Sequence, residues 1–165
     1  MRRAFLSLAV GLALAAGAAL AADDKDKVKR PDPFPPGPQK AFLVENAKQA
    51  GWVVTSSGLQ YHVLQPGRLD KAPPNSYDTV RVHYEGRLLN GKVFDSTVGR
   101  QPATFPLHTL IPGWMEALST MRIGEKRELV IPAELGYGAK GTSDIPGNAT
   151  LLFSVELVGI VTDRF

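Results

Sequence analysis

Side chains that commonly carry covalent or metal-dependent chemistry are few and scattered in this sequence. The three histidines, His62, His83 and His108, lie on separate segments without the spacing of metal ligands, and there is no cysteine to act as a nucleophile or zinc ligand. The glycines around Tyr137 lack the Gly-Lys-Ser/Thr sequence of a phosphate-binding loop. We therefore predict no metal site and no cofactor.

Aromatic side chains are the remaining candidates for a site. They come from five separate segments, as Tyr84, Phe94, Trp114, Tyr137 and Phe153. Any one of them alone is best interpreted as a core residue. They meet in one place only if a sheet wraps around the short segment that carries the tryptophan, so the elements that hold them decide whether they form a site.

A short helix is predicted around Trp114. Pro112 suits its first turn, because proline has a preset φ and cannot donate a backbone hydrogen bond. Trp114 and Leu118 lie four residues apart on one face, and Gly124 limits the segment at its far end. A helix this short needs packing to be stable, and the strand-like segments on both sides are expected to supply it.

Alternating residues predict the strands. The clearest run, residues 80–88, places apolar residues on one face and charged residues on the other, and Asn90-Gly91 predicts a hairpin to a partner strand at 92–95. Other strands are predicted at 59–64, 104–107, 125–131 (with an outer charged part) and 150–161. We predict an α+β fold, in which a curled antiparallel sheet wraps around one short α-helix. The absence of βαβ patterns disfavours a parallel nucleotide-binding sheet.

The residues around the aromatic positions resemble those of the FKBP-type peptidyl-prolyl cis-trans isomerases. The resemblance is carried, in the same order and spacing, by VHYEG (82–86), GKVFDS (91–96), IPGW (111–114), GYGA (136–139) and IP (145–146) through LLFSVEL (151–157). It covers roughly residues 51–160. The stretch from Phe42 to Ala50, together with SGLQY (57–61), looks like the one that precedes the catalytic domain in exported bacterial members.

The resemblance implies an enzyme that accelerates X-Pro isomerisation without covalent catalysis, with a hydrophobic pocket for the proline ring. It implies catalytic roles for Tyr84, Asp95 and Tyr137. The residues implied to bind substrate are Phe94, Arg100, Leu110, Ile111, Trp114, Ile145 and Phe153. Unfolded or partly folded polypeptides with X-Pro bonds are the implied partners, together with macrolide inhibitors.

Within this set the resemblance implies distinct tasks. Trp114 forms the floor of the pocket, Leu110 lies at its rim, and Ile145 lies on a flap above it. The Ile111 N–H and the Tyr137 hydroxyl bind substrate carbonyls. Arg100 pairs with, or orients, Asp95 and Tyr84.

Three departures from the family pattern alter the rim of the pocket. Ala103 stands where many members have a phenylalanine, Thr109 where an acidic residue is common, and Ser143-Asp144 where the flap is usually more apolar. They bear on substrate preference and on macrolide affinity. A second hypothesis is a chaperone that binds proline segments with little turnover. The joint presence of catalytic-type and pocket residues favours the enzyme.

The N-terminus resembles an export signal. Arg2 and Arg3 precede an apolar run at 4–20 and an A-x-A pattern at 19–21, which predicts a signal peptide cleaved after Ala21 and a periplasmic location. An uncleaved membrane anchor is the alternative, because the run is close to the length that spans a bilayer. The paired arginines also resemble a twin-arginine signal, although general export is favoured because the n-region is short.

The rest of the chain divides into a charged and proline-rich linker at 22–38, an N-terminal helix at 39–50 and the isomerase-like domain at 51–165. The formal charge is +3, and two of these positive charges, at Arg2 and Arg3, would leave with the signal peptide. We therefore predict no nucleic-acid partner and no stable membrane insertion after cleavage.

Overall fold

Residues 36–161 are described by the structure, a computed structural model, and they form an antiparallel sheet with an α-helix against each face. The predicted signal peptide and most of the predicted linker lie outside the described residues. The elements in chain order are α1 (Pro36–Asn46), β1 (Trp52–Val54), β2 (Gln60–Gln65), β3 (Thr79–Leu88), β4 (Val93–Ser96), β5 (Ala103–Pro106), α2 (Pro112–Leu118), β6 (Lys126–Ile131) and β7 (Leu151–Val161). Two 3-10 turns, Leu107–Thr109 and Ala133–Leu135, precede α2 and follow β6.

The sheet is open and antiparallel in all its described pairings. Its strands lie in the order β1-β2-β6-β7-β3-β4, and β5 pairs with the first half of β3. Register shifts interrupt the β2–β6, β3–β4 and β3–β7 pairs. Such bulges bend a strand and increase its twist, which accounts for the curl of the sheet around α2.

The concave face of the sheet and α2 form the hydrophobic core. Burial alternates along β3 as its sequence predicts, with Val80, Val82, Tyr84, Gly86 and Leu88 buried. Leu151, Phe153, Val155 and Leu157 of β7 continue this face, and Trp114, Ala117 and Leu118 of α2 pack onto it. The predicted fold class is confirmed.

Helix α1 packs on the opposite face of the sheet. Phe42 and Asn46 line a groove with Leu152 and Ser154, which alternate along β7 with the buried core residues. The helix starts at Pro36 rather than at residue 39, because proline fits a first turn, and residues 47–50 form turns rather than a last helical turn. Among residues 36–161, neither helix is long and apolar enough to cross a membrane.

One part of the strand prediction is wrong. Glu125 and Arg127, which were expected on an outer charged face, are 6% and 5% exposed. The guanidinium donates to the Glu125 carboxylate at 2.6 Å and to the Thr120 hydroxyl at 2.8 Å, and it lies 4.4 Å from the centre of the Tyr61 ring. Thr120 and Tyr61 come from other elements, so periodicity within the strand does not reveal why Arg127 is buried.

Candidate active site

Four of the five aromatic residues singled out in the sequence form one cluster on the concave face. The Trp114 ring lies edge-to-face against Tyr84, with centroids 5.1 Å apart, and against Phe153, at 5.2 Å. Phe94 meets Phe153 at 5.5 Å, also edge-to-face. Such perpendicular contacts bring the positive edge of one ring onto the negative face of another. The sheet therefore does wrap the helix so that β3, β4, β7 and α2 each contribute a ring.

A further ring, Phe105, was missed by sequence reasoning. It lies on β5, 6.2 Å from Tyr84 and 6.3 Å from Trp114, and it completes the covering of the tryptophan, which is 0% exposed. Ala103 is two residues earlier on the same strand, and residues two apart on a strand share a face. The alanine that departs from the family pattern is thus accompanied by a phenylalanine from the same strand face.

The close approach of the rings depends on Gly86. A Cβ atom added there would lie 2.5 Å from the Phe153 ring and 2.7 Å from the Phe94 ring. Both distances are below van der Waals contact, so a side chain at this position would displace one of the two rings. The alternation of β3 places this glycine on the core face, two residues after Tyr84.

A hydrogen-bonded polar pair stands at the edge of this apolar cluster. The Tyr84 hydroxyl donates to the Asp95 carboxylate at 2.6 Å, and the other carboxylate oxygen accepts the Ser96 N–H at 2.9 Å. The pairing of β3 with β4 brings the two side chains together, since Asp95 lies opposite Gly86. The tyrosine is buried and the aspartate is half-buried, so the pair links the cluster to the opening of the site.

The loop after β4 fixes the backbone of Tyr84. The buried Thr97 hydroxyl accepts the Tyr84 N–H at 2.9 Å and donates to the Tyr84 carbonyl at 3.2 Å. The Thr97 N–H also donates to this carbonyl, at 2.9 Å. These bonds hold the tyrosine side chain at a defined position relative to Asp95.

Both site tyrosines remain protonated over a wide pH range. Burial, with the hydrogen bond to Asp95 as the next cause, raises the pKa of Tyr84 well above its ordinary value. Burial and the nearby Asp95 carboxylate raise the pKa of Tyr137 to about 12. The Tyr137 hydroxyl makes no hydrogen bond with another of residues 36–161. It is therefore available as a hydrogen-bond donor at neutral pH.

An open cavity of about 550 Å³ adjoins the polar pair. It is lined by residues that include Tyr84, Asp95, Arg100, Ala103 and Phe105. Arg100 is exposed and lines this cavity together with Asp95 and Tyr84, the two residues that it was expected to pair with or orient. The side chain that donates to the Asp95 carboxylate is Tyr84.

Three predicted substrate-binding residues are almost fully buried. Leu110, Ile111 and Ile145 belong to the buried core, with no more than 2% of their surface exposed. The Ile111 N–H donates to no acceptor among the described residues, while the Ile111 carbonyl accepts the N–H groups that open α2. All three belong to the same buried cluster as Trp114 and Phe153.

Tyr137 and Ile145 belong to a loop between β6 and β7, which we call the flap (residues 136–149). The flap is internally bonded: the Gly141 N–H donates to the Tyr137 carbonyl at 3.1 Å, and the Asn148 N–H donates to the Gly138 carbonyl at 2.9 Å. Across residues 36–161, histidine, aspartate and glutamate side chains make no cluster suited to a metal ion.

Comparison with known proteins gives a consistent result. Residues 70–158 match the family model described as FKBP-type peptidyl-prolyl cis-trans isomerase, and residues 37–63 match the one described as the domain amino terminal to it. The chain is 51% identical over 122 residues to the FKBP-type 22 kDa peptidyl-prolyl cis-trans isomerase of Escherichia coli, covering 73% of this chain and 58% of that protein. It is 46% identical over 123 residues to the peptidyl-prolyl cis-trans isomerase Mip of Coxiella burnetii, covering 73% and 53%.

Solved structures agree with the sequence matches. The crystal structure of FkpA from Escherichia coli superposes with a TM-score of 0.73 at 41% identity, covering 77% of this chain and 59% of that one. A peptidyl-prolyl cis-trans isomerase from Pseudomonas syringae gives 0.70 at 34% identity, covering 76% and 92%. The chain spans about half the length of the curated relatives it matches.

Proposed function

Because this chain belongs to the FKBP-type peptidyl-prolyl cis-trans isomerase family, we propose that it is an enzyme that accelerates rotation about X-Pro bonds in polypeptides. The observation that carries the proposal is the Tyr84–Asp95 hydrogen bond at the edge of a buried aromatic cluster. An apolar surface suits a proline ring, and polar groups at its edge suit the imide that precedes the ring. A covalent intermediate is not needed.

The chemistry follows from the nature of the bond. Rotation breaks amide resonance, at a barrier of roughly 18–20 kcal/mol, and the planar state carries more charge separation than the twisted one. A water-poor aromatic site solvates the planar state less well and therefore lowers the barrier. Fixed hydrogen bonds at the two ends of the substrate hold it while the bond rotates.

The residues take the following roles in this proposal. Trp114 and Phe153 form the base of the prolyl site, with Phe94 and Phe105 at its sides. The Tyr137 hydroxyl and the Ile111 N–H donate to substrate carbonyls. Asp95, held by Tyr84, lies beside the imide. Arg100, which lines the cavity, contacts the residues that flank proline. Leu110 and Ile145 support the site from the buried core.

The test is the cis-to-trans rate of a short X-Pro peptide, measured by a protease-free solvent jump. We expect acceleration by the wild type, and roughly tenfold or greater losses of kcat/KM in Asp95→Val and Tyr137→Phe, because each removes a polar contact of the substrate imide or carbonyl. Tyr77→Phe is the matched control, since that tyrosine is 84% exposed. A wild type that binds proline peptides without accelerating the rate would support the chaperone hypothesis instead.

We also propose that the enzyme acts on exported proteins as they fold in the periplasm. This part rests on the signal-peptide pattern at residues 1–21, and it predicts a mature N-terminus at Ala22. Mass spectrometry of the protein from a periplasmic fraction tests it. An intact N-terminus in the membrane fraction would support the anchor alternative.

Binding of a macrolide inhibitor, measured by competition in the assay of X-Pro isomerisation rate, tests whether Phe105 compensates for Ala103.

A further inference from the structure

One polar contact of helix α1 joins it to the residue between the flap and β7. The Gln39 side-chain carbonyl accepts the N–H of Thr150 at 2.8 Å, across 111 positions of sequence. Gln39 is 8% exposed and Thr150 is 1% exposed, so water does not replace this bond easily. A buried N–H without an acceptor is costly, which makes the glutamine side chain the fixed partner of this backbone position.

Thr150 is the residue at which the flap joins β7. The flap ends at residue 149, and β7 starts at Leu151, which pairs with Leu88 and Ile131 of the neighbouring strands. Phe153, at the base of the aromatic cluster, follows three residues after Thr150. A displacement at this junction therefore moves both the flap and the start of the strand that carries a ring of the site.

The flap is built to transmit such a displacement. The Thr142 N–H donates to the Ile145 carbonyl at 2.7 Å, and the Thr142 hydroxyl accepts the N–H of Ile145 at 3.1 Å. Asn148 has a positive φ of 60°, a conformation that surrounding contacts must hold in place. The Asn148 N–H bond to the Gly138 carbonyl ties the end of the flap near Thr150 to the end that carries Tyr137.

The other polar contacts of α1 lead elsewhere. The Asn46 side-chain amide donates to the Gln60 side-chain carbonyl at 2.8 Å, and the Gln60 amide donates to the Leu43 carbonyl at 2.8 Å. Gln60 begins β2, which is separated from β7 by β6. The helix thus has one polar anchor at the flap junction and a separate one on β2, two strands away from β7.

From this arrangement we infer that Gln39 is a positioning residue for the isomerase site, acting through Thr150 on the flap that carries Tyr137. The inference rests on the proposed function. It assigns to α1, which lies outside the matched isomerase domain at 70–158, a part in catalysis beyond stabilising the fold. Gln39 does not touch the substrate; it holds the flap over the site while the X-Pro bond rotates.

The test uses the full mature chain with Gln39→Ala, Gln39→Glu and Asn46→Ala. Loss of the Gln39 acceptor is expected to speed hydrogen exchange at Thr150 and in the flap roughly tenfold, because a buried donor loses its partner. We expect kcat/KM for a short X-Pro peptide to fall roughly threefold, since the flap is held less well. Gln39→Glu keeps an acceptor at this position, so its hydrogen-exchange rates and its kcat/KM should stay close to those of the wild type.

Asn46→Ala is the matched control, because it removes a buried amide contact from the same helix at its other anchor. It should speed exchange around Gln60 and leave the flap and kcat/KM unchanged. Equal effects of Asn46→Ala and Gln39→Ala on the flap would overturn the inference, since docking of the whole helix would then be responsible. Unchanged flap exchange in Gln39→Ala, or faster exchange with undiminished kcat/KM, would also overturn it. An inactive wild type would instead contradict the proposed function, which the exchange measurement does not depend on.

Discussion

The hydrogen bond between Tyr84 and Asp95 should be measurable as a coupling free energy. The perturbation is a double-mutant cycle built from Tyr84→Phe and Asp95→Ala, with each single variant and the double variant. Each substitution removes one partner of the 2.6 Å bond and leaves the strands that carry it in place. The cycle isolates this pair from the other contacts of both side chains.

Burial of the two partners sets the expected magnitude. A hydrogen bond to a charged group contributes about 1.5–3 kcal/mol. Asp95 is half-buried and keeps the Ser96 N–H on its other oxygen, so water and this N–H compensate part of the loss. We therefore expect a coupling of about 1.5 kcal/mol, close to the lower end of that range and equivalent to roughly a tenfold change in the folding equilibrium constant.

Urea unfolding, followed by circular dichroism at neutral pH, gives the free energies of unfolding of the four proteins. The rate assay on the same proteins separates structure from function: Tyr84→Phe keeps the carboxylate, so it should lose less kcat/KM than Asp95→Ala. A coupling near zero would refute the bond as a structural element. Equal loss of kcat/KM in the two single variants would refute the assignment of the catalytic contact to the carboxylate.

Two further predictions concern stability. Arg127→Ala should lower the free energy of unfolding by about 3–5 kcal/mol, because it leaves the Glu125 carboxylate buried without its cation. Lys92→Ala, at an exposed position, is the control and should change the free energy of unfolding by less than about 0.5 kcal/mol. A similarly small effect of Arg127→Ala would contradict a stabilising role for the buried pair. The fold raises the pKa of Tyr137 to about 12 from an unfolded value near 10. The stability that the protonated tyrosine contributes is therefore complete below pH about 10 and is lost as the pH rises toward 12. The raised pKa of Tyr84 acts in the same direction. The midpoint of urea unfolding, measured at about pH 8 and pH 11, should fall between the two, and it should fall less in Tyr137→Phe. A midpoint independent of pH would contradict this prediction.

The sequence predicts the parts of this fold that depend on local pattern. β3 is long, and one of its faces is buried along its whole length, so its alternation is visible in the sequence and correctly places Tyr84 on the core face. The helix around Trp114 is also predicted, because Pro112 marks its start. By contrast, β1 has three residues and no room for a period, and it was missed.

Contacts between distant segments account for what sequence reasoning could not supply. Arg127 is buried because Thr120, Glu125 and Tyr61 surround it, and no pattern within its own strand shows this. Phe105 enters the aromatic cluster because β5 pairs with β3, which a short strand ending in proline does not indicate. The resemblance supplied the set of residues for the site, but not the hydrogen bond by which Tyr84 holds Asp95.

The site and the hydrophobic core share side chains, and this decides which variants can test function. Trp114 and Phe153 are both buried core residues, so replacing either one changes stability and the proposed prolyl site together. Large-to-small substitutions of such rings cost about 3–5 kcal/mol, a large part of the stability of a domain of this size. Asp95 and Tyr137 lie at the edge, where a polar group can be removed without opening a cavity in the core. Loss of turnover in these edge variants, in protein that stays folded under the assay conditions, is therefore the result that separates a catalytic role from a structural one.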